Sequence, residues 1–256
     1  MAITNWHQTL RLAALALCWG SLAAAAYDAP QASLAARYIR LADRQLAEAR
    51  KTYAKDTNRV SHIWQLGRAL FFRAEFASGE SRERLAVEGI DLCERGLARH
   101  PGTAELHYYL ALNQGQLARE KLFGALGLVR RMREHLLEAA ASKPLLDRAG
   151  PDRCLALLHR DAPGWPISVG NRKTAVHHLA KACQLAPTFP ENLIVQLESW
   201  LKWGQTDHLP TAIQATRAAL GKARKELTGE EWEPYHDDWN ARWSDILDRA
   251  AKHLRE

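Results

Sequence analysis

Ala175-Val176-His177-His178-Leu179-Ala180-Lys181-Ala182-Cys183-Gln184-Leu185-Ala186-Pro187 is the stretch on which the fold turns. Small, apolar and small residues stand at Ala175, Leu179 and Ala182 before the proline. Steps of four and three put them on one helix face, where small side chains let a neighbouring helix approach closely. Proline cannot continue a helix and marks its end. Forty-three residues earlier the series reads Met132, Leu136, Ala139 and Pro144, and 43 earlier again Gly89, Cys93, Gly96 and Pro101. Ala212, Thr216 and Ala219 repeat the spacing once more without a proline. A second helix follows each proline, as in Ala104 to Ala111 with its Leu110-Ala111 pair.

This series resembles the tetratricopeptide (TPR) pattern, in which a Leu-small pair marks the first helix of each hairpin and small, apolar and small residues the second. The resemblance implies an all-α, TPR-like helical-hairpin repeat (α-solenoid). Its period is longer than that of regular TPRs, so the repeats are irregular and lengthened. Composition agrees: 43 Ala and 37 Leu stand against 8 Ile and 6 Val, favouring helix over sheet. With 47% hydrophobic residues in 256, the chain can bury a core and is not a disordered tail. Helices are predicted near 31–55, 59–77, 82–99, 103–119, 121–142, 152–160, 171–186, 190–203, 209–226 and 234–255. The clearest breaks are Ala77 to Glu80 and Asp161 to Pro166. Thr228-Gly229-Glu230-Glu231 reads as a capping box that Pro234 interrupts, giving a short turn before a final helix.

The first 26 residues read as a cleaved signal peptide: Arg11, an apolar run from Leu12 to Leu22, and Ala23 to Ala26 before Tyr27. An exported, periplasmic protein follows from that reading, with residues 27–256 as the repeat domain and 228–256 as its C-terminal capping helix. Leu17 stands where a lipidation signal at Cys18 wants a small residue, so lipoprotein anchoring is not expected. No later run is apolar enough for an integral membrane span. Cys93, Cys154 and Cys183 have apolar neighbours and no C-x-x-C, so they read as buried small hydrophobes, with one disulfide at most.

Several stretches between Tyr109 and Gly204 carry a narrower resemblance. They are Leu110 to Ala118, Ala149 to Arg153, Ala162-Pro163-Gly164-Trp165-Pro166-Ile167-Ser168-Val169-Gly170, and Leu185 to Asn192. Together they resemble the exported T-component family associated with TRAP transporters. That implies a helical-repeat accessory protein whose partner is a protein, such as a transporter's substrate-binding protein. Members of that family are typically lipoproteins, and this N-terminus departs from that.

Chemistry is weakly signposted. No nucleophile elbow, Walker loop or dinucleotide fingerprint occurs, so neither an enzyme nor a cofactor is expected. His177-His178 and His236-Asp237-Asp238 are consecutive, and a metal on a helix wants ligands three or four apart. Arg130-Arg131-Met132-Arg133 reads as a solvated helix face, and despite a net charge of +6 no nucleic-acid partner is expected. Gly124-Ala125-Leu126-Gly127 reads as close helix packing. Gly164 offers a positive φ and Trp165 a plug between hairpins. Trp232, Trp239 and Trp243 form one helical stripe, read as covering the end of the last repeat.

The candidate partner or ligand groove comprises Tyr108, Asn113, Arg153, Trp165, Ser168, Asn192, Trp200 and Trp203. The expected function is a non-enzymatic periplasmic scaffold for protein–protein interaction, compatible with a homo-oligomer. The alternative is a carrier of a small apolar ligand or lipid between hairpins, which an apolar tunnel walled by Trp165, Trp200 and Trp203 would favour.

Overall fold

A computed structural model describes residues 29–121 and 123–253, and the signal-peptide reading lies outside them. Among the described residues there are ten α-helices. They are α1 (Ala29–Lys55), α2 (Val60–Glu75), α3 (Gly79–Arg99), α4 (Ala104–Glu120) and α5 (Ala125–Ser142). After them come α6 (Gly150–Asp161), α7 (Arg172–Leu185), α8 (Pro190–Trp203), α9 (Leu209–Glu226) and α10 (Glu233–His253). A 3-10 turn, Glu230–Trp232, precedes α10. No β-strand occurs among these residues, only one isolated bridge between Gly164 and Gly170. None of the helices is long and apolar enough to cross a membrane.

The recurring prolines correspond to recurring geometry. The residues before Pro101, Pro144 and Pro187 have φ/ψ of −136/65, −146/74 and −137/72. Their N–H groups donate to the carbonyls of Gly96, Ala139 and Ala182 at 2.8, 2.9 and 3.1 Å. A Cβ added at Gly96 would meet Ile63 and Leu106 side chains at 3.0 Å, so the small residue is a steric requirement of the α2–α3–α4 crossing. The end of α9 repeats the cap one turn later than the sequence spacing places it: Leu227 N–H donates to Ala223 at 2.8 Å. Counted back from that cap, the equivalent positions are Thr216, Leu220 and Ala223, four residues on from Ala212, Thr216 and Ala219. A shift of four residues leaves the same helix face inward, which is why periodicity alone cannot separate the two registers.

Other boundaries differ locally. Lys121, Phe123 and Gly124 are not helical: Gly124 stands at φ 83 as the residue before α5, and neither Gly124 nor Gly127 meets a neighbour within 4 Å of an added Cβ. Thr228 does not cap α10; Gly229 at φ 114 leads into the 3-10 turn without a side-chain cap. Asn171 does cap α7, its Oδ1 accepting from Thr174 N–H at 3.0 Å.

Each helix packs on its successor, and α2 also meets α4, α6 meets α8 and α8 meets α10. One apolar core runs from Leu46 to Val195 and a second surrounds the fully buried Trp239. Helix α8 serves both, giving Val195 to the first and Ile194, Leu197 and Leu201 to the second. Cys93 and Cys154 are buried and Cys183 half-buried, all with free thiols. Burial raises each thiol to about 12, so they are inert at neutral pH. The two ends of the array meet. Tyr38 O–H donates to Asp237, and Arg37 and Arg44 pair with Glu233 and Glu230, each at 2.6 Å, binding α1 to the start of α10 and its 3-10 turn.

Candidate functional site

The α5–α6 connection carries the most unusual backbone. Asp147, Arg148 and Ala149 lie consecutively in the left-handed region, at φ 47, 54 and 64, with no glycine among them. Each such residue costs roughly 1–2 kcal/mol, so the surroundings must impose the conformation. They do so from behind. Tyr108 O–H donates to Asp147 Oδ2 at 2.7 Å, and Arg153 Nη2 donates to the same oxygen at 2.9 Å. Arg153 Nη1 also reaches Asn192 Oδ1 at 2.9 Å, and Asn192 Nδ2 donates to the Arg148 carbonyl at 3.2 Å. Burial opposes the Arg153 charge, but Asp147, Tyr108, Cys154 and Glu191 together outweigh it and raise its pKa. Burial raises the Tyr108 phenol, with Asp147 adding to the effect, so it stays a donor. Next to the turn, a Cβ on Gly150 would run into the Tyr108 hydroxyl and meet Asp147 Cβ at 2.9 Å.

In front of this turn lies a cavity of about 830 Å³. Its walls come from Gln45, Glu48 and Thr52 of α1, from Trp64, Arg68 and Phe72 of α2, and from Glu105 and Tyr109 of α4. Lys143, Leu146, Asp147, Arg148, Phe189, Glu191, Trp232, Tyr235 and Asp238 line it as well. Trp64 and Tyr109 stack with ring centroids 6.0 Å apart and planes 12° apart. Arg148 lies over Trp232 and Phe189, its guanidinium carbon 4.8 and 5.1 Å from the ring centroids. Tyr109 and Tyr235 hydroxyls are both raised above their ordinary range, chiefly by burial.

Most charges in these walls are matched. Glu105 pairs with Lys143 at 2.6 Å, Glu191 with Arg242 at 2.9 Å and Asp238 with Arg242 at 3.0 Å. Glu75 accepts from Gln116 and lies 3.7 Å from Arg119, yet its burial still raises its pKa. Four groups differ: the exposed carboxylates of Glu48 and Glu231, which have no cationic partner among the described residues, and two guanidinium groups. Among the described residues, Arg68 makes no hydrogen bond or ion pair, and the Arg148 guanidinium makes only its ring contacts. Burial works against the Arg68 charge, but Tyr109, Tyr235 and Asp147 around it raise its pKa overall.

The structure brings three of the eight groove residues together, and for a different task. Tyr108, Arg153 and Asn192 are buried and hold the α5–α6 turn from the side away from the cavity, with Arg153 alone also touching its wall. Asn113 is buried between helices, its Nδ2 donating to Gly67 and Tyr109 carbonyls at 3.0 and 2.8 Å. Trp165, far from plugging a groove, is 88% exposed on a loop, and Gly164 has no positive φ. In that loop Gly170 N–H donates to Pro163 at 2.8 Å, and the Trp165–Pro166 bond is cis. Ser168 Oγ is buried there without a partner among the described residues. Trp200 lies against His208, and Trp203 beneath Arg172. Neither of them nor Trp165 lines this cavity.

Arg68 and Arg148 went unread. One signal was available: Trp64, Arg68, Phe72 and Phe76 recur at steps of four, an arginine set within an aromatic stripe. The histidine pairs have local partners. His178 Nδ1 binds the fully buried Asp152 at 2.8 Å, and His236 Nε2 binds the Leu227 carbonyl at 2.8 Å. Among the described residues no group of three or more His, Cys, Asp or Glu is placed to hold a metal. Compared with known proteins, the chain matches no family model and no curated protein.

Proposed function

We propose that this chain is a non-enzymatic binding protein, a TPR-like helical repeat exported by a cleaved signal, that holds a ligand in the cavity between its first helices and its last. The observation that carries the reading is the cavity itself. It is of small-molecule size, has rigid aromatic walls, and draws them from α1, α2, α4, the α5–α6 turn and α10. Solenoids bind on the surface that successive first helices present, and α2, α4 and α10 belong to that set in the proposed repeat.

A photo-cross-linking amino acid at Gln65, an exposed wall residue, tests it. Irradiation in the native compartment is expected to yield a discrete low-mass adduct. Cross-linking from Gln65 that yields nothing would remove the reading.

The exposed Trp165 and Ile167 favour a second reading, a protein scaffold whose contact is that loop. A transporter's substrate-binding protein would be such a partner. The same cross-linker at Trp165, capturing a protein while Gln65 captures nothing, would select it.

A further inference from the structure

We propose that Arg68 and Arg148 form an oxyanion subsite in the cavity, selecting a ligand that carries a single acidic group on a flat apolar body. The inference rests on the cavity being the binding site and adds the chemical class of its occupant. Arg68 and Arg148 are both exposed at the cavity wall, so a ligand there can reach their donors directly. Here the wall acids Glu105, Asp147, Glu191 and Asp238 all have cationic partners, whereas the guanidinium groups of Arg68 and Arg148 have no carboxylate partner among the described residues. The carboxylate that Arg68 feels, Asp147, is already engaged by Tyr108 and Arg153.

The backbone gives independent support. Arg148 is the middle residue of the left-handed turn, and buried groups from α4, α6 and α8 hold it there. Strain of this kind persists only where its environment imposes it. The outcome is a guanidinium stacked on Trp232 and Phe189, with its N–H donors unspent. Guanidinium donors in a planar fork suit a carboxylate or sulfonate, and stacking fixes the fork's plane without consuming them. The near-parallel Trp64 and Tyr109 rings bring flat aromatic surface to the same cavity for an apolar body. Glu48 and Glu231, both exposed in the walls, disfavour a second negative charge, so the class is a monoanion.

Three probes with one ring system separate the contributions: 2-naphthoate, 2-naphthalenesulfonate and the neutral 2-naphthamide. Calorimetric titration of the full chain is expected to show one site, with at least one acid bound about tenfold or more tighter than the amide. The tighter of the two acids identifies the oxyanion. Arg68→Gln is expected to weaken the acid about tenfold, leaving amide binding and melting temperature unchanged, and Arg148→Lys to weaken it less than Arg148→Gln. Equal affinity for acids and amide overturns the oxyanion subsite and leaves the cavity site standing. Equal loss of acid and amide binding in Arg68→Gln overturns the subsite as well. If none of the three binds, both this inference and the cavity reading fall.

Discussion

At the scale of single residues, the α5–α6 turn shows how a strained backbone is kept. Tyr108 supplies a hydroxyl to a carboxylate, a bond to a charged group worth about 1.5–3 kcal/mol. Tyr108→Phe is therefore expected to lower stability by about that amount in urea unfolding. Gly150→Ala is expected to destabilise too, because its Cβ would occupy the hydroxyl's space. The two should be coupled: once the hydroxyl is gone, the added methyl costs less, and the double variant loses less than the sum. Additive losses would show that the two sites do not share that space. The sequence pointed to Tyr108, Arg153 and Asn192 without saying what they do. Polar residues expected to touch a ligand are buried instead behind a turn whose left-handed residues, Asp147 to Ala149, include no glycine to announce it.

Helices are where the sequence is most legible, because caps and crossings depend on neighbours a few positions away. The prolines at 101, 144 and 187 end helices with one shared geometry. Charges at the junction of α8 and α10 are less legible, since their partners lie 44 and 51 residues apart in the chain. Arg242 there binds Glu191, Glu198 and Asp238 together, its charge held by those acids against the penalty of burial. Arg242→Met would leave buried carboxylates without their cation and is expected to cost about 3–5 kcal/mol, read by urea unfolding.

Helices α4 and α5 meet through His107 and His135, whose Nδ1 atoms are 3.0 Å apart. His107 Nε2 donates to the Pro101 carbonyl at 3.0 Å, so its Nδ1 accepts the His135 proton while both rings are neutral. Burial, and then His107, depress the His135 pKa below its ordinary 6.5, and burial likewise depresses His159. A depressed imidazole lets the unfolded chain take up protons first. Stability should thus hold above pH 6.5 and fall as pH drops from there toward the lower folded values. Thermal melts between pH 7 and pH 5 test this, and His135→Gln is expected to flatten the slope.

For the whole molecule, an all-helical array was readable from composition and spacing, and the cavity was not. Its walls run from Gln45 to Asp238, and no local pattern records that α1 and α10 face one another. Among the described residues the contact that joins them is slender: one tyrosine–aspartate hydrogen bond and two exposed ion pairs. Exposed pairs of this kind are worth roughly 0–1 kcal/mol each and weaken with salt. Glu230→Gln with Glu233→Gln is expected to leave global unfolding within about 1–2 kcal/mol of the parent while speeding amide exchange in the first turn of α10. That slenderness has a kinetic consequence. A ligand whose exit crosses the clasp would leave no faster than the clasp parts, so its residence time would follow ionic strength even if its affinity rests on the walls. Stopped-flow release should then accelerate with added salt for a neutral ligand, which has no charge of its own to screen.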